Sequence, residues 1–244
     1  MSERPPIVVL GANHAGTRLL VDILRILGSN AGRIDNAWLE DETFLEIHRR
    51  LIGRVSQKSW TETIFDMEFV RSYRDDGRWV PNIHTWLTQG LDDSFPQRRT
   101  SAWHWKCPTA VMFLRSWLEI YPSALFIHLE RDPEAVARSL VRRRQFLRFG
   151  EAAEFYDAMN QRVLDARPRM KNYLRLSYES LSDNLPLLAQ RAGLRINEPV
   201  MDCARGAILH QRAPLWRPDR SVGGNLWEIL TNARAAVRSR NGKR

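Results

Sequence analysis

The chain has 244 residues, of which 43% are hydrophobic and 27% charged, and its formal net charge at neutral pH is +9. This composition is typical of globular proteins and excludes a chain that is disordered throughout. The two cysteines, Cys107 and Cys203, are too few for a disulfide framework or a four-cysteine zinc site.

The N-terminal residues and the hydropathy pattern indicate where in the cell the protein is expected. Residues 1–6 contain an acid and two prolines before a very short apolar run, which is not the pattern of a signal peptide. Charged residues interrupt every apolar stretch well before the ~20 residues that a membrane span needs. Because the sequence has only two cysteines, a reducing compartment is the simplest expected location of the protein. We therefore expect a cytoplasmic protein with no membrane span.

The positive charge is concentrated in two places. Residues 234–244 hold five basic residues and no acid, and arginines cluster again between Arg138 and Arg148. We predict a single domain over residues 1–233, followed by a basic, disordered tail over residues 234–244. Basic charge beside an anion site suits a small polyanionic ligand as well as a nucleic acid.

Four short apolar runs predict strands of a parallel sheet, over residues 7–10, 102–107, 124–129 and 173–177. Apolar residues at helical spacing predict helices over residues 19–27, 109–121, 133–144, 151–165 and 180–192. Thr109 and Asp132 are the predicted caps of two of them. Alternation at this spacing favours an α/β fold, with a central parallel sheet and helices on both faces.

Residues 40–100 show no clean strand pattern. Apolar spacing predicts one helix around residues 44–51 and another over residues 83–91, and Trp60, Trp79 and Trp86 lie between or within them. We predict that helices and loops of this region cover the sheet.

The first loop is the strongest local signal. Gly11 and Gly16 bracket four residues between a strand and a helix, and Thr17 opens the helix. The amides of such a turn can hold an anion at the helix N-terminus. A Walker A loop would follow its second Gly with Lys, but Thr17 and Arg18 stand here, which argues against an ordinary kinase or NTPase. A glycine turn that binds nothing is the alternative interpretation.

The second signal is Arg131, which follows a predicted strand where parallel sheets place their ligands. Ser139 comes eight residues later, two helical turns on, and so can share a face with Arg131. A guanidinium and a hydroxyl together suit a phosphate, because Arg presents planar bidentate donors. A capped surface helix is the alternative, and it is the simpler interpretation for Arg143 and Arg144.

Two more strand ends carry candidates. Lys106 is one of four lysines and lies in an apolar strand, where a cation costs desolvation free energy unless it meets an anion. Snorkelling to the sheet edge is the alternative for this lysine. Tyr178, after the last strand, either lines a nucleotide or caps the core. We expect His104 to be structural and Cys107 to be inert packing.

These four signals, in this order, resemble the sulfotransferases that use 3′-phosphoadenosine 5′-phosphosulfate (PAPS), especially the bacterial, tyrosylprotein and glycan branches. The first loop is similar to the family's 5′-phosphosulfate loop, and Arg131 with Ser139 to its 3′-phosphate site. Lys106 is the first residue of a match to the family's Lys-X-Pro motif. Tyr178 is the first residue of a match to its Tyr-Glu-X-Leu motif. The resemblance covers residues 5–195 and implies a P-loop-like three-layer fold, with a central parallel sheet and a helical cover.

The resemblance also implies the reaction. A sulfuryl group would pass from PAPS to a hydroxyl or amine by in-line attack, without a metal, while Lys106 and His14 stabilise charge on the bridging oxygen. Nucleotide contacts are expected from Asn13, His14, Ala15, Gly16, Thr17, Arg18, Arg131, Ser139, Tyr178 and Arg220. Arg220 is included because residues 217–224 are our candidate for the family's C-terminal phosphate loop.

Two loop residues depart from the family pattern. His14 stands where the family has Lys or Arg, and Ala15 stands where it has Ser, so a cation and a hydroxyl donor are missing. Arg18 is one candidate for compensation. A protonated His14 is the other, because the charge of a bound phosphosulfate would raise the pKa of the imidazole.

A general base is expected to take the proton of the acceptor. The tyrosylprotein branch has a Glu after its first helix, and at that distance this chain has Asp35, our first choice, with Glu40 as the second. The sequence does not identify the acceptor beyond a small molecule, a glycan or a lipid, and it leaves the oligomeric state open.

Two other functions compete with this reading. A P-loop kinase would need ATP and magnesium and lacks its lysine here. A nucleic-acid-binding protein would bind with a steep salt dependence. Neither explains the spacing of Arg131 and Ser139, so we expect no nucleic-acid partner.

Overall fold

The structure is a computed structural model and describes residues 4–32, 34–35, 39–91, 101–194 and 197–212. Arg220 and the predicted tail over residues 234–244 lie outside these residues. No helix within the described ranges is long and apolar enough to cross a membrane.

The strands are β1 (Ile7–Leu10), β2 (Ile34–Asp35), β3 (Glu40–Asp41), β4 (His104–Lys106), β5 (Leu125–Glu130) and β6 (Asn172–Ser177). Four of them form one parallel sheet in the order β4-β1-β5-β6. The four predicted sheet strands are therefore confirmed, with bounds that differ by a few residues. Their apolar, β-branched runs fit strands that are covered on both faces.

The helices are α1 (Thr17–Ile26), α2 (Glu42–Ser56), α3 (Trp60–Thr63), α4 (Met67–Ser72), α5 (Val80–Leu91), α6 (Leu114–Ile120), α7 (Pro133–Arg142), α8 (Phe149–Ala166), α9 (Leu185–Arg191) and α10 (Glu198–Arg212). Asp132 is the N-cap of α7 as predicted, and its side chain accepts a hydrogen bond from the amide of Glu134 at 3.1 Å.

The two faces of the sheet carry separate apolar clusters. Ile7, Val9, Ile127 and their neighbours pack against α1, α9 and α10. The alternate residues, among them Val8 and Phe126, face a larger cluster built with α2, α5, α6, α7 and α8. This period-two alternation along the strands produces the three layers, and the fold is an α/β fold with helices on both sides of a parallel sheet.

Three details differ from the sequence predictions. The helix predicted over residues 109–121 is a 3-10 helix, Pro108–Phe113, followed by α6. Thr109 does not cap it, and its hydroxyl contacts the Cys107 sulfur at 3.2 Å instead. All six residues of the 3-10 helix are buried, so packing on every side determines their conformation more than helical spacing does.

The second difference is the antiparallel hairpin of β2 and β3, in which Asp35 pairs with Glu40, where no strand was predicted after residue 40. The two strands have only two residues each, too few for an alternating pattern to be visible in the sequence. The third difference is that α9 begins at Leu185, because turns occupy residues 178–184.

Candidate active site at the carboxyl edge of the sheet

The strand register brings the predicted site residues to one edge. Lys106 pairs with Val9 across β4 and β1, so it lies beside the start of the glycine loop. Glu130 pairs with Ser177 across β5 and β6, so the residues that follow them, Arg131 and Tyr178, are neighbours. Carboxyl ends of parallel strands are where α/β folds place their ligands.

The two glycines of the loop are required by close contacts. A Cβ on Gly11 would lie 2.8 Å from the carbonyl oxygen of Leu129, and one on Gly16 would lie 2.3 Å from a ring carbon of Tyr178. Gly16 also has φ of 94°, in the left-handed region that glycine adopts without a steric cost. The loop can therefore lie directly against β5 and the Tyr178 ring.

Some backbone amides of the glycine loop remain available to bind a ligand. Ala15 uses its amide within the loop, donating to the carbonyl of Ala12 at 3.2 Å, so it is a weaker candidate for an anion than the sequence suggested. Within the described ranges the amides of Gly16 and Thr17 have no acceptor, and they open α1 at its positive end. These two amides are therefore the donors of the loop that remain available to an anion.

His14 is held in an unusual conformation between two polar side chains. Its φ is 67°, which costs free energy in a residue other than glycine. Its Nε2 lies 2.8 Å from Oε1 of Gln145, and its Nδ1 lies 3.1 Å from the hydroxyl of Ser139. Burial lowers the pKa of His14, and the charges of nearby arginines lower it further, so the ring is neutral in the absence of an anion.

Arg131 is fixed through its backbone and its side chain. The Tyr156 hydroxyl accepts from the amide of Arg131 at 2.9 Å and donates to its carbonyl at 2.6 Å. The guanidinium lies 4.5 Å from the centre of the Tyr178 ring and donates to the His14 carbonyl at 3.3 Å. Arg131, the loop and Ser139 thus converge through His14.

A cavity of about 320 Å³ opens beside Arg131. Asp132, Ala135, Tyr178 and Glu179 complete its lining. Glu179 accepts from the amide of Asp132 at 3.1 Å and from the hydroxyl of Ser177 at 2.6 Å, so its carboxylate is tied to the backbone. The largest single effect on the pKa of Glu179 is burial, which raises it, but these hydrogen bonds and Arg131 outweigh it and the pKa is lowered.

The other end of the site holds a buried ion pair. Nζ of Lys106 lies 3.0 Å from Oε1 of Glu40, and the two side chains are 5% and 13% exposed. A buried pair of this kind is weak evidence for stability, because desolvation offsets much of the attraction. Burial, with the charge of Glu40 next in size, raises the pKa of the adjacent Cys107 thiol to about 12, so Cys107 remains a protonated thiol.

Comparison with known proteins identifies the family of the chain. The sequence profile of the sulfotransferase family matches residues 5–192. The chain belongs to the sulfotransferase family. A search of curated proteins gives no match.

Solved structures share the fold of this sulfotransferase. The sulfotransferase domain of a Synechococcus olefin synthase is 16% identical with a TM-score of 0.52, and covers 89% of this chain and 82% of its own. A sulfotransferase from Mycobacterium tuberculosis is 15% identical with a TM-score of 0.54, and covers 95% and 76%. At this identity the likeness concerns the fold alone.

The structure of this sulfotransferase brings most of the predicted site residues together. His14, Gly16, Arg131, Ser139 and Tyr178 form one connected group. Lys106 lies with Glu40 at the neighbouring strand end.

The other predicted residues lie in the loop, on α1, in the hairpin or outside the described ranges. Asn13 and Arg18 are half-buried in the loop and on α1. Asp35 pairs with Glu40 in the hairpin, and its side chain is outside the described part of the chain, as is Arg220. Among the described residues no group of three or more His, Cys, Asp or Glu is arranged to hold a metal ion.

Sequence reasoning missed three polar residues of the site in this sulfotransferase. Tyr156 lies on α8, and only its contact with the backbone of Arg131 reveals its role. Gln145 follows α7, within the arginine-rich segment that was interpreted as a solvated face. Glu179 belongs to the Tyr-Glu-X-Leu match, of which only Tyr178 was predicted as a site residue.

Proposed function

We propose that this sulfotransferase moves the sulfuryl group of PAPS to a hydroxyl or amine of a small-molecule, glycan or lipid acceptor. The observation that carries the proposal is the convergence of Arg131, Ser139 and the glycine loop. Arg131 donates to the loop through the His14 carbonyl, and Ser139 contacts the same residue through its ring. One polyanionic nucleotide would meet all three elements.

Arg131 and Ser139 are proposed to bind the 3′-phosphate. The backbone of Arg131 is clamped by Tyr156 and its guanidinium lies on Tyr178, so little side-chain entropy remains to be lost when an anion binds. A charged, preorganised donor of this kind binds phosphate strongly. A nucleotide without a 3′-phosphate, such as ATP, would forgo this contact.

The amides of Gly16 and Thr17, with Lys106, are proposed to stabilise the departing nucleotide. The acceptor oxygen or nitrogen attacks sulfur in line, the bond from sulfur to the bridging oxygen breaks, and 3′,5′-adenosine diphosphate leaves. Negative charge develops on that bridging oxygen, and donors fixed in place beforehand stabilise it without reorganisation. The proposed reaction needs no metal, because these groups supply the charge stabilisation.

Glu40 is the proposed general base, in preference to Asp35. It would take the proton of the acceptor during attack, and its position supports this choice, because its Oε1 lies 3.0 Å from Nζ of Lys106 at the edge of the sheet where the ligands are expected. The same contact lies at the strand end next to the loop. In-line attack requires this pair to separate, so that proton removal and charge stabilisation occur on opposite sides of the transferring group.

Calorimetric titration with 3′,5′-adenosine diphosphate tests the nucleotide part of the proposal. We expect binding that is at least tenfold tighter than that of 5′-adenosine diphosphate, since hydrogen bonds to charged groups contribute about 1.5–3 kcal/mol. Arg131→Ala should remove this preference. Arg205→Ala, which removes an ion-paired arginine on α10, serves as the control and should keep it. Absence of binding at millimolar concentration contradicts the proposal.

A further inference from the structure

The ring of His14 is fixed by a residue that no part of the proposed reaction uses. The side-chain oxygen of Gln145 lies 2.8 Å from Nε2 of His14, and an amide oxygen accepts only, so Nε2 carries a hydrogen. The backbone of Gln145 is itself anchored, because its backbone N–H donates to the Leu140 carbonyl at 3.1 Å and the next residue, Phe146, is buried. The orientation of the imidazole is therefore set from outside the loop.

This orientation determines what Ser139 can do. A neutral imidazole with hydrogen on Nε2 has a bare Nδ1, which accepts from the Ser139 hydroxyl 3.1 Å away. The hydrogen of Ser139 then points at His14 and is not available to a phosphate. A doubly protonated ring reverses this arrangement, since Nδ1–H donates to Ser139 and the serine hydrogen is released.

Burial, together with the charges around His14, keeps the ring neutral in the free protein. Arg131 reaches it from the end of β5, and Arg142 and Arg143 act on it from the end of α7. Burial is the largest cause of its lowered pKa, and the three cations add to it, while the hydrogen bond to Gln145 opposes them. A bound polyanion would neutralise the three cations and attract the proton that they repel.

We propose that His14 takes up a proton from solvent when the nucleotide binds, and that Gln145 is the positioning residue that makes this uptake productive. The proton goes to Nδ1, the ring donates to the Ser139 oxygen, and the serine hydroxyl turns to donate to a nucleotide oxygen. One proton is gained from solvent for each nucleotide bound, and the N–H bond on Nδ1 is the only covalent bond that forms. The loop would thus carry a cation, the protonated His14, only when the nucleotide is bound. This inference rests on the proposed function.

Calorimetry in two buffers of different ionisation enthalpy measures the proton uptake. The titrant is 3′,5′-adenosine diphosphate at pH 7.5–8, where its phosphates are already ionised. We expect uptake approaching one proton per nucleotide. Between the pKa values of free and bound His14, the affinity should fall about tenfold for each pH unit, because binding then consumes one proton.

Three variants and one control separate the roles. His14→Lys carries a permanent cation and should bind without proton uptake. Gln145→Glu places a carboxylate against Nε2, which raises the pKa of His14, so the proton is present beforehand and uptake should decrease. Gln145→Leu should bind more weakly and lose most of the uptake. Gln161→Leu, on the exposed side of α8, is the matched control and should behave as the wild type.

The outcomes are distinct from those that test the proposed function. If the wild type binds the nucleotide with no net proton uptake, or His14→Lys takes up as many protons as the wild type, the inference is wrong although the proposed function stands. If the wild type does not bind the nucleotide, both fail. Circular dichroism of each variant establishes that it is folded.

Discussion

The two ends of the candidate site are built in different ways. Around Arg131, side chains from β5, α7, α8 and the first loop are connected by hydrogen bonds to one another and to the backbone. Around Lys106, a buried ion pair joins β4 to Glu40 in a short hairpin. One end resembles a preformed binding site, and the other is centred on a pair of oppositely charged side chains.

This difference suggests a division of labour. A ligand that carries fixed negative charges is bound best by donors that are already in place. Proton transfer instead needs a base whose contacts change during the reaction, and Glu40 must separate from Lys106 before it can accept a proton. We therefore expect substitutions at the Arg131 end to weaken nucleotide binding, and substitutions at the Lys106 end to slow turnover.

The largest effect is expected at Lys106 and Glu40. Lys106→Met should lower kcat for sulfuryl transfer about 10²–10³-fold, and Glu40→Gln about 10²–10⁴-fold, with less change in nucleotide affinity. Steady-state kinetics with a responsive acceptor measures both. Lys58→Met is the control, since Lys58 forms an ion pair of similar length with Asp66 on the surface. A loss of nucleotide affinity with unchanged kcat in the Lys106 and Glu40 variants would contradict the assignment of turnover to this end of the site.

The next effect is expected at Ser139. Ser139→Ala should weaken 3′,5′-adenosine diphosphate about 10-fold or more, because a hydrogen bond to a charged oxygen is lost. Binding of 5′-adenosine diphosphate should change little, so titrations with both nucleotides are compared. Equal losses for the two would show that Ser139 does not contact the 3′-phosphate, and the two ends would no longer differ in the way described.

A stability effect is expected at Gly16. Gly16→Ala should lower the free energy of unfolding by about 1–3 kcal/mol, because the methyl group meets the Tyr178 ring and must displace it. Denaturant titration measures this loss. Gly28→Ala is the matched control, since Gly28 has φ of 96° but open space around its Cβ position. If the two variants lose equal stability, backbone strain and not the tyrosine is responsible.

The last effect concerns Asp22 on α1 and appears only in part of the pH range. Burial raises the pKa of Asp22 to about 6, against the charges of Arg25 and Arg18. The folded protein therefore holds a proton that the unfolded chain releases, and its stability falls as the pH rises from about 4 to 6.

Asp22→Asn should remove this pH dependence. The variant should be more stable than the wild type by about 1–3 kcal/mol above pH 6, and the difference should vanish below pH 4. Thermal unfolding as a function of pH measures it, with Asp202→Asn on the exposed face of α10 as the control. Nucleotide affinity should not change, which would separate the stability of α1 from binding at the Arg131 end.

The sequence predicts the Arg131 end better than the Lys106 end, for a physical reason. Arg131 and Ser139 lie on one strand–helix junction, so their relation follows from helical geometry alone. The four sheet strands and the glycine loop also follow from local patterns. The contact of Lys106 with Glu40 joins residues 66 apart in the chain, and no periodicity encodes it.

The positioning residues were the hardest to foresee. Tyr156 on α8 reads as an ordinary core aromatic, since its ring is buried and only its hydroxyl reaches Arg131. Gln145 contacts His14 across 131 positions of sequence. The 3-10 helix after β4 was missed because its six residues are buried on all sides, so packing overrides the local pattern.

Transfer of labelled sulfur from PAPS to an acceptor tests the central claim most directly. A metabolite and lipid extract is incubated with sulfur-labelled PAPS and either the wild type, Lys106→Met or the control Lys58→Met, and labelled products are separated. The proposed function predicts a labelled product and 3′,5′-adenosine diphosphate with the wild type and the control, and almost none with Lys106→Met. Equal labelling by the Lys106 variant, or no labelled product with a wild type that binds the nucleotide, would contradict it.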